Sequence, residues 1–473
     1  MLLTFVVLYL LVSIAIGIIA ALRVHTAKDF IEAGRSLPFY VVTATVFATW
    51  FGSETVLGIS STFIKEGLGG IVSDPFGSSL CLIFVGLFFA ARLYRMNLLT
   101  IGDYYRVRYN AAAEVLVSVA IVISYLGWLS AQIIVIGLVF NVVTEGAVSM
   151  QWGIVIGALV VVIYTLWGGM YSVAWTNFVQ MVVIIIGLFY IAWIVADKAG
   201  GVSAVVAHAD AAGKLAFWPN PEPKDILAFI AAAITVMLGS IPQQDVFQRI
   251  NSSRSEKIAV YGSVLGGTLY FFFAFVPIFL AYSAFLIDPK MVNELMGKDH
   301  QLILPTLILN ETPLFAQIIF FGALLSAVMS TASGTLLAPS VTFTENILKH
   351  IIQKDFTDHQ MLRTMRIVVA CFAVVVTLFS LNTEATIYQM VVGAYKVTLV
   401  SAFIPLVCGL YWRPATTQGA LAAITGGFLT WILLELIAPD ALVPPQLAGL
   451  CASALGMIAG SLLPQRIGRR HPA

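Results

Sequence analysis

Gly52-Ser53-Glu54-Thr55 and Gly239-Ser240-Ile241-Pro242-Gln243-Gln244 each fall near the middle of a long apolar segment. These two stretches decide the fold. Unwound backbone at membrane depth is tolerated only where protein or a water-filled cavity satisfies its polar groups. A matched pair of interrupted helices in corresponding halves of a chain therefore points to a binding site that both interruptions line.

The rest of the chain fits a membrane setting. It has 473 residues, 60% hydrophobic and 10% charged, with mean hydropathy +0.95. A soluble domain carries about 25% charged residues. Apolar sequence on this scale needs lipid as its solvent. Thirteen spans are expected, at 2–22, 38–66, 70–93, 111–143, 151–167, 174–196, 226–244, 257–286, 314–348, 364–381, 386–411, 417–437 and 444–464. Cys81, Cys371, Cys408 and Cys451 all fall in apolar segments and read as packing residues, not disulfides or metal ligands. The six histidines show no metal spacing. No catalytic constellation, phosphate loop or soluble domain is evident, so the chain is read as one transmembrane domain over 1–473 that is not an enzyme. Net charge +1 gives no sign of nucleic-acid binding, and no obligate protein partner is evident.

Basic residues alternate from loop to loop. Eighteen of the 25 Lys and Arg fall on one side: Arg23, Lys28, Arg35, Arg92, Arg95, Arg106, Arg108, Arg249, Arg254, Lys257, Lys349, Lys354, Arg363, Arg366, Arg413, Arg466, Arg469 and Arg470. Six fall on the other: Lys65, Lys198, Lys214, Lys224, Lys290 and Lys298. The richer side is expected to be cytoplasmic, giving an inner (plasma) membrane protein with its N-terminus outside and C-terminus inside. The breaks lie in the second and seventh spans. Five spans per repeat reverse the orientation of the second copy, so 38–196 and 226–411 are expected to form an inverted pair. Residues 2–37 and 412–473 are then peripheral.

Three motifs carry a family resemblance. Asp29-Phe30 and Gly34-Arg35-Ser36-Leu37-Pro38 follow the first span; Gly168-Gly169-Met170-Tyr171-Ser172-Val173-Ala174-Trp175-Thr176-Asn177 and Gln180 follow the fifth; Ala327-Val328-Met329-Ser330-Thr331 lies in the ninth. In this order they resemble the sodium/solute symporter family, which includes proline, sialic acid, sugar and choline transporters. The resemblance implies an all-α, LeuT-type 5+5 fold and sodium-coupled symport of a small organic solute, an amino acid, carboxylate or related polar metabolite, by alternating access. Proton-coupled or uncoupled transport, or a transporter-like sensor, are the alternatives.

The residues agree on the ion. Ala327, Ser330 and Thr331 share a helical face, where two hydroxyls and a carbonyl can serve a small hard cation. The family pattern adds the carbonyls of Ala48 and Phe51 at the break. Serine and threonine bonding back to their own helix is the simpler account of the hydroxyls. Asn177 stands where the family usually has aspartate, and Ala327 where some members have serine; a second sodium site is therefore expected to be absent. A plain helix-capping role for Asn177 is the alternative.

The solute is expected between the two breaks, against Trp50, Thr55, Gln243, Gln244 and Tyr395. Gln243 stands where the choline branch has tryptophan, which favours a polar or carboxylate-bearing solute. Glu54, Asp74 and Lys396 are charges within spans. A central lysine costs about 2.5–3.5 kcal/mol on insertion scales, so Lys396 should have a partner, Glu54 or Asp74, or else a substrate carboxylate.

Overall fold

The computed structural model describes residues 1–352 and 356–467, so Lys354, Arg469 and Arg470 lie outside the described residues. The chain is helical throughout its spans: α1 (Leu2–Ala21), α2 (Phe39–Trp50), α3 (Ile59–Glu66), α4 (Leu68–Arg95), α5 (Ala111–Val143), α6 (Met150–Lys198), α7 (Pro223–Gly239), α8 (Gln244–Ser252), α9 (Glu256–Ile287), α10 (Leu314–Ile352), α11 (Asp358–Asn382), α12 (Ile387–Tyr411), α13 (Thr417–Ile437) and α14 (Pro445–Leu462). Among the described residues there is no strand, only an isolated bridge between Leu37 and Ser253.

Ten of these helices are long and apolar enough to cross a membrane, or 11 if the bent α7–α8 pair is one span. The expected thirteen is not reached on that measure. The 38–66 segment is divided into the short α2 and α3, and 151–167 contributes the shorter apolar piece Met150–Ile163. Both differences have local causes. Phe51 leaves the helix at φ −89°, ψ 73°. Gly169, at φ 48° and ψ −141°, is the one non-helical residue between the two halves of α6. A Cβ on Gly169 would come within 2.4 Å of the Phe30 carbonyl oxygen, so only glycine fits both the conformation and the contact.

Helix starts follow from capping. Asn110, Ser149, Ser255, Thr357, Thr386 and Thr416 each accept a bond from a backbone N–H in the first turn. The end of the bundle carrying the 22–38, 96–110 and 252–256 connections is called lower here. Arginines pin it. Arg35 donates to Asn97 at 2.6 Å and to the Tyr94 carbonyl at 3.0 Å; Arg95 pairs with Glu256 at 2.7 Å; Arg108 donates to the carbonyls of Gly409 and Ala415 at 3.0 Å. Leu37 N–H donates to Ser252 O and Arg254 N–H to Leu37 O, both at 3.0 Å. This backbone clamp ties the entry to α2 to the exit from α8, so the lower ends of both broken helices are held together.

Candidate functional site

Gly52 and Ser53 leave backbone groups without an intrahelical partner. Gln132 of α5 meets one, its Oε1 accepting from Ser53 N–H at 2.9 Å. The same amide donates to Glu54 Oε2 at 2.8 Å, and the Trp128 indole donates to Glu54 Oε1 at 3.0 Å. A Cβ on Gly52 would stand 2.5 Å from Thr331 Oγ1, 2.6 Å from Glu54 Oε2 and 2.8 Å from Gln132 Oε1. Glycine gives this close approach its room, because the Thr331, Glu54 and Gln132 side chains converge on one backbone atom.

On the α10 side of the break four oxygens gather. Ser330 Oγ lies 2.6 Å from Ala48 O and 2.7 Å from Ala327 O. Thr331 Oγ1 lies 3.5 Å and 3.2 Å from the same two carbonyls. The simpler reading, bonding back within α10, therefore accounts for only half of these contacts; the other half cross to α2. Each hydroxyl has lone pairs as well as one hydrogen. Rotating both hydroxyls turns the cluster into a set of oxygen donors suited to a hard monovalent cation. Phe51, the fifth expected residue, stands at the break itself.

Asn177 does not cap a helix. It lies within α6, and its Nδ2 donates to Thr45 Oγ1 at 3.1 Å and Thr49 Oγ1 at 3.0 Å. An aspartate there would accept from those hydroxyls; the amide donates to them instead. Its Oδ1 is buried without a partner.

On the other side of α2 lies an aromatic box. Trp50 stacks on Tyr395 with centroids 6.0 Å apart, Tyr125 stacks on Trp128 at 5.9 Å, and Trp128 meets both Trp50 and Tyr395 edge-on at 5.6 Å and 5.5 Å. Above the box is a small cavity of about 10 Å³, room for roughly one water. Trp50 and Tyr395 floor it, Glu54, Asp74 and Ser78 wall it, and Tyr388, Val391 and Val392 roof it. Tyr388 and Val392 also border an open vestibule of about 320 Å³, so they stand between the two spaces. Asp74 lines the cavity from a backbone position outside helical geometry, at φ −149° and ψ 124°. Its Oδ1 accepts from Tyr270 OH at 2.6 Å. Below the box, Asp245 accepts from Tyr125 OH at 2.5 Å.

The expected solute residues divide. Trp50 and Tyr395 line the cavity. Thr55 is bonded to Tyr270 OH at 2.9 Å, and Gln243 donates to Ser124 Oγ at 3.0 Å and Thr398 Oγ1 at 3.3 Å. Gln244 turns away altogether, accepting from Ile101 N–H at 2.8 Å in the first turn of the helix Ile101–Arg108. The second break is packed too closely for a freer arrangement: a Cβ on Gly239 would lie 2.5 Å from Tyr395 O. Sequence reading missed Tyr125, Trp128 and Gln132, although their i, i+3, i+7 spacing on α5 marks one polar-edged face. It also placed Arg249 with the loop charges, whereas the residue is buried within α8.

Lys396 pairs with neither Glu54 nor Asp74. Its partner is Glu435 of α13 at 2.9 Å, in the vestibule wall, with both side chains partly exposed and Trp431 Nε1 donating to Glu435 at 3.1 Å. One helical turn separates Lys396 from Val392 in the roof, and the side chain reaches outward instead of down into the box. An exposed pair contributes about 0–1 kcal/mol. Lys396→Ala is therefore expected to lower stability by no more than about 1 kcal/mol, read by denaturant or thermal unfolding; a loss of several would mean that the pair is buried from solvent in the membrane.

The model of the sodium:solute symporter family matches residues 30–427. The human high affinity choline transporter 1 is 29% identical over 456 residues, covering 90% of this chain and 75% of its own. A sodium/glucose cotransporter of Vibrio parahaemolyticus is 23% identical over 434 residues, covering 84% of this chain and 78% of its own. Among solved structures, a Na+-coupled sialic acid symporter superposes with a TM-score of 0.80 at 19% identity, covering 98% of both chains, a likeness of fold.

Proposed function

The chain belongs to the sodium:solute symporter family and moves a small organic solute with sodium, and we propose that this solute carries a positively charged nitrogen and sits on the aromatic box between the two broken helices. The observation that carries the reading is the charge around the box. Glu54, Asp74 and Asp245 are 3%, 4% and 0% exposed. None of the ion pairs among the described residues involves them. Arg249 is the one fully buried basic side chain among the described residues, so three acids face one base. Burying unpaired charge is costly, and an incoming sodium and an incoming organic cation together offset that excess. Aromatic faces favour the same ligand. The choline transporters among the relatives carry a cation too. The sequence-based preference for a carboxylate-bearing solute rested on Gln243 and on a free Lys396, and neither faces the box.

Coupling follows from the break. Ala48 and Phe51 present carbonyls to the ion while Trp50 and Glu54, between and beyond them, face the solute. Ordering the break for one ligand orders it for the other, and the effect is reciprocal. One sodium per solute is proposed, bound by Ala48, Phe51, Ala327, Ser330 and Thr331. Asn177 gives no anionic ligand for a second. Reversal potentials in proteoliposomes check this, and a ratio of two would refute it. We take the lower end as cytoplasmic from its arginines and the outward N-terminus with it. Tyr388 and Val392 then close the outer path and the Leu37–Ser252 clamp the inner one. Rocking of 38–196 against 226–411 opens them in turn. The membrane potential adds about 2.3 kcal/mol per charge per 100 mV.

Thermal shifts of purified protein against organic cations, monocarboxylates and sugars, with and without sodium, test the solute class. Cations should stabilise in a sodium-dependent manner, by mass action. Stabilisation by carboxylates or sugars alone would overturn it.

A further inference from the structure

Resting on the cationic reading above, we infer that the cavity selects an ammonium that still carries N–H donors, and disfavours a quaternary nitrogen. The two kinds of cation carry the same charge and differ in hydrogen bonding. A quaternary nitrogen offers only methyl groups, and an aromatic enclosure suits it. A primary ammonium offers three donors. It needs acceptors aimed at it, and it loses most where none exist.

Acceptors are what this cavity supplies. Two of its walls are the carboxylates of Glu54 and Asp74. Glu54 accepts one bond on each oxygen, from Trp128 and Gln132. A carboxylate has about four lone-pair sites, so roughly half of its capacity is free. Asp74 accepts from Tyr270 OH and from Ser78, which leaves capacity on the same footing. Behind the box Asp245, 0% exposed, is held by Tyr125 and the Trp50 indole and does not line the cavity. Trimethylation would place methyl groups against desolvated carboxylates and leave their lone pairs unmet. Groups built to bond a donor reject the analogue that lacks it far more strongly than an apolar pocket rejects an extra methyl.

The test is a matched series on the sodium-loaded full-length protein: 2-aminoethanol and its N-methyl, N,N-dimethyl and N,N,N-trimethyl forms. All four are cations at neutral pH. Dissociation constants come from thermal shift or scintillation competition. Affinity is expected to fall along the series, with the trimethyl form at least about tenfold weaker than the primary amine. The same ratio is then measured in Asp74→Asn and, as a second variant should that one misfold, in Glu54→Gln. Loss of a wall acceptor should shrink the ratio toward one. Equal or tighter binding of the trimethyl form overturns the inference and leaves the cationic reading standing. A ratio that survives unchanged in the folded variants also overturns it, since crowding by the methyls would then be the cause. Stabilisation by none of the four amines overturns both readings.

Discussion

Changing Ser330 and Thr331 together to alanine is expected to abolish the sodium dependence of solute binding. Two of the five proposed ion ligands are lost, and they are the two side chains that bridge α10 to the broken helix. Altering groups one shell further from a bound ion already costs about 10–100-fold in affinity; two direct ligands should cost at least about a hundredfold. Because the linkage is reciprocal, solute affinity in sodium should fall to its value in potassium. The fold should survive. Each hydroxyl also bonds a carbonyl of its own helix, and removing such a local bond costs about 1 kcal/mol. The measurement is the solute dissociation constant in sodium and in potassium at constant pH. A double variant that still distinguishes the two salts would place the ion elsewhere. Gly52→Ala gives an independent check. Its Cβ would meet three side-chain ends, Thr331 Oγ1, Glu54 Oε2 and Gln132 Oε1, and no backbone. Glu54 and Gln132 can swing aside and Thr331 must change rotamer, so the variant should fold at some cost, yet ion and solute should weaken together.

Much of this was legible in the chain, and what was hidden has a physical cause. Both breaks could be read because Gly-Ser and Pro inside apolar sequence conflict with a continuous helix. The Ser330–Thr331 face could be read because hydroxyls at helical spacing are local information. Trp50 and Tyr395 were found through their nearness to a break or to a charge. Contacts between helices were not. In lipid the outer face of a helix is as apolar as its packed face, so α5 gave no hydrophobic contrast to show that Tyr125, Trp128 and Gln132 point inward. Glu435 lies 39 residues from Lys396 on a helix expected to be peripheral, and no local pattern joins the two. Gln244 illustrates the reverse error. A glutamine beside a break looks available, but α8 begins at that residue and carries its side chain to the Ile101 N–H.

Arg249 was the most consequential of the hidden residues, and its removal should give the largest stability loss. It is 2% exposed, one turn from Asp245. Its Nη1 donates to the Asp245 carbonyl at 2.8 Å and its Nη2 to Thr49 Oγ1 at 2.8 Å. Thr49 Oγ1 also accepts from Asn177, so this one guanidinium joins α8 to α2 and, through Thr49, to α6. A Cβ on Gly334 would lie 2.5 Å from Nη2, which leaves no room for the side chain to move toward α10. Arg249→Met keeps the bulk and removes the charge. Asp245 is then left buried with no base near it, and leaving a buried charge uncompensated costs about 3–5 kcal/mol. Arg249→Met with Asp245→Asn removes both charges and should recover most of that loss, since a neutral pair no longer carries an uncompensated ion. The coupling between the two changes, read from unfolding of the two single variants and the double, is the quantity to measure. Additive effects, or a single Arg249→Met variant as stable as the parent, would mean that Asp245 is already compensated by Tyr125 and its surroundings. In that case the count of three acids against one base, on which the cationic solute rests, would have to be reduced by one.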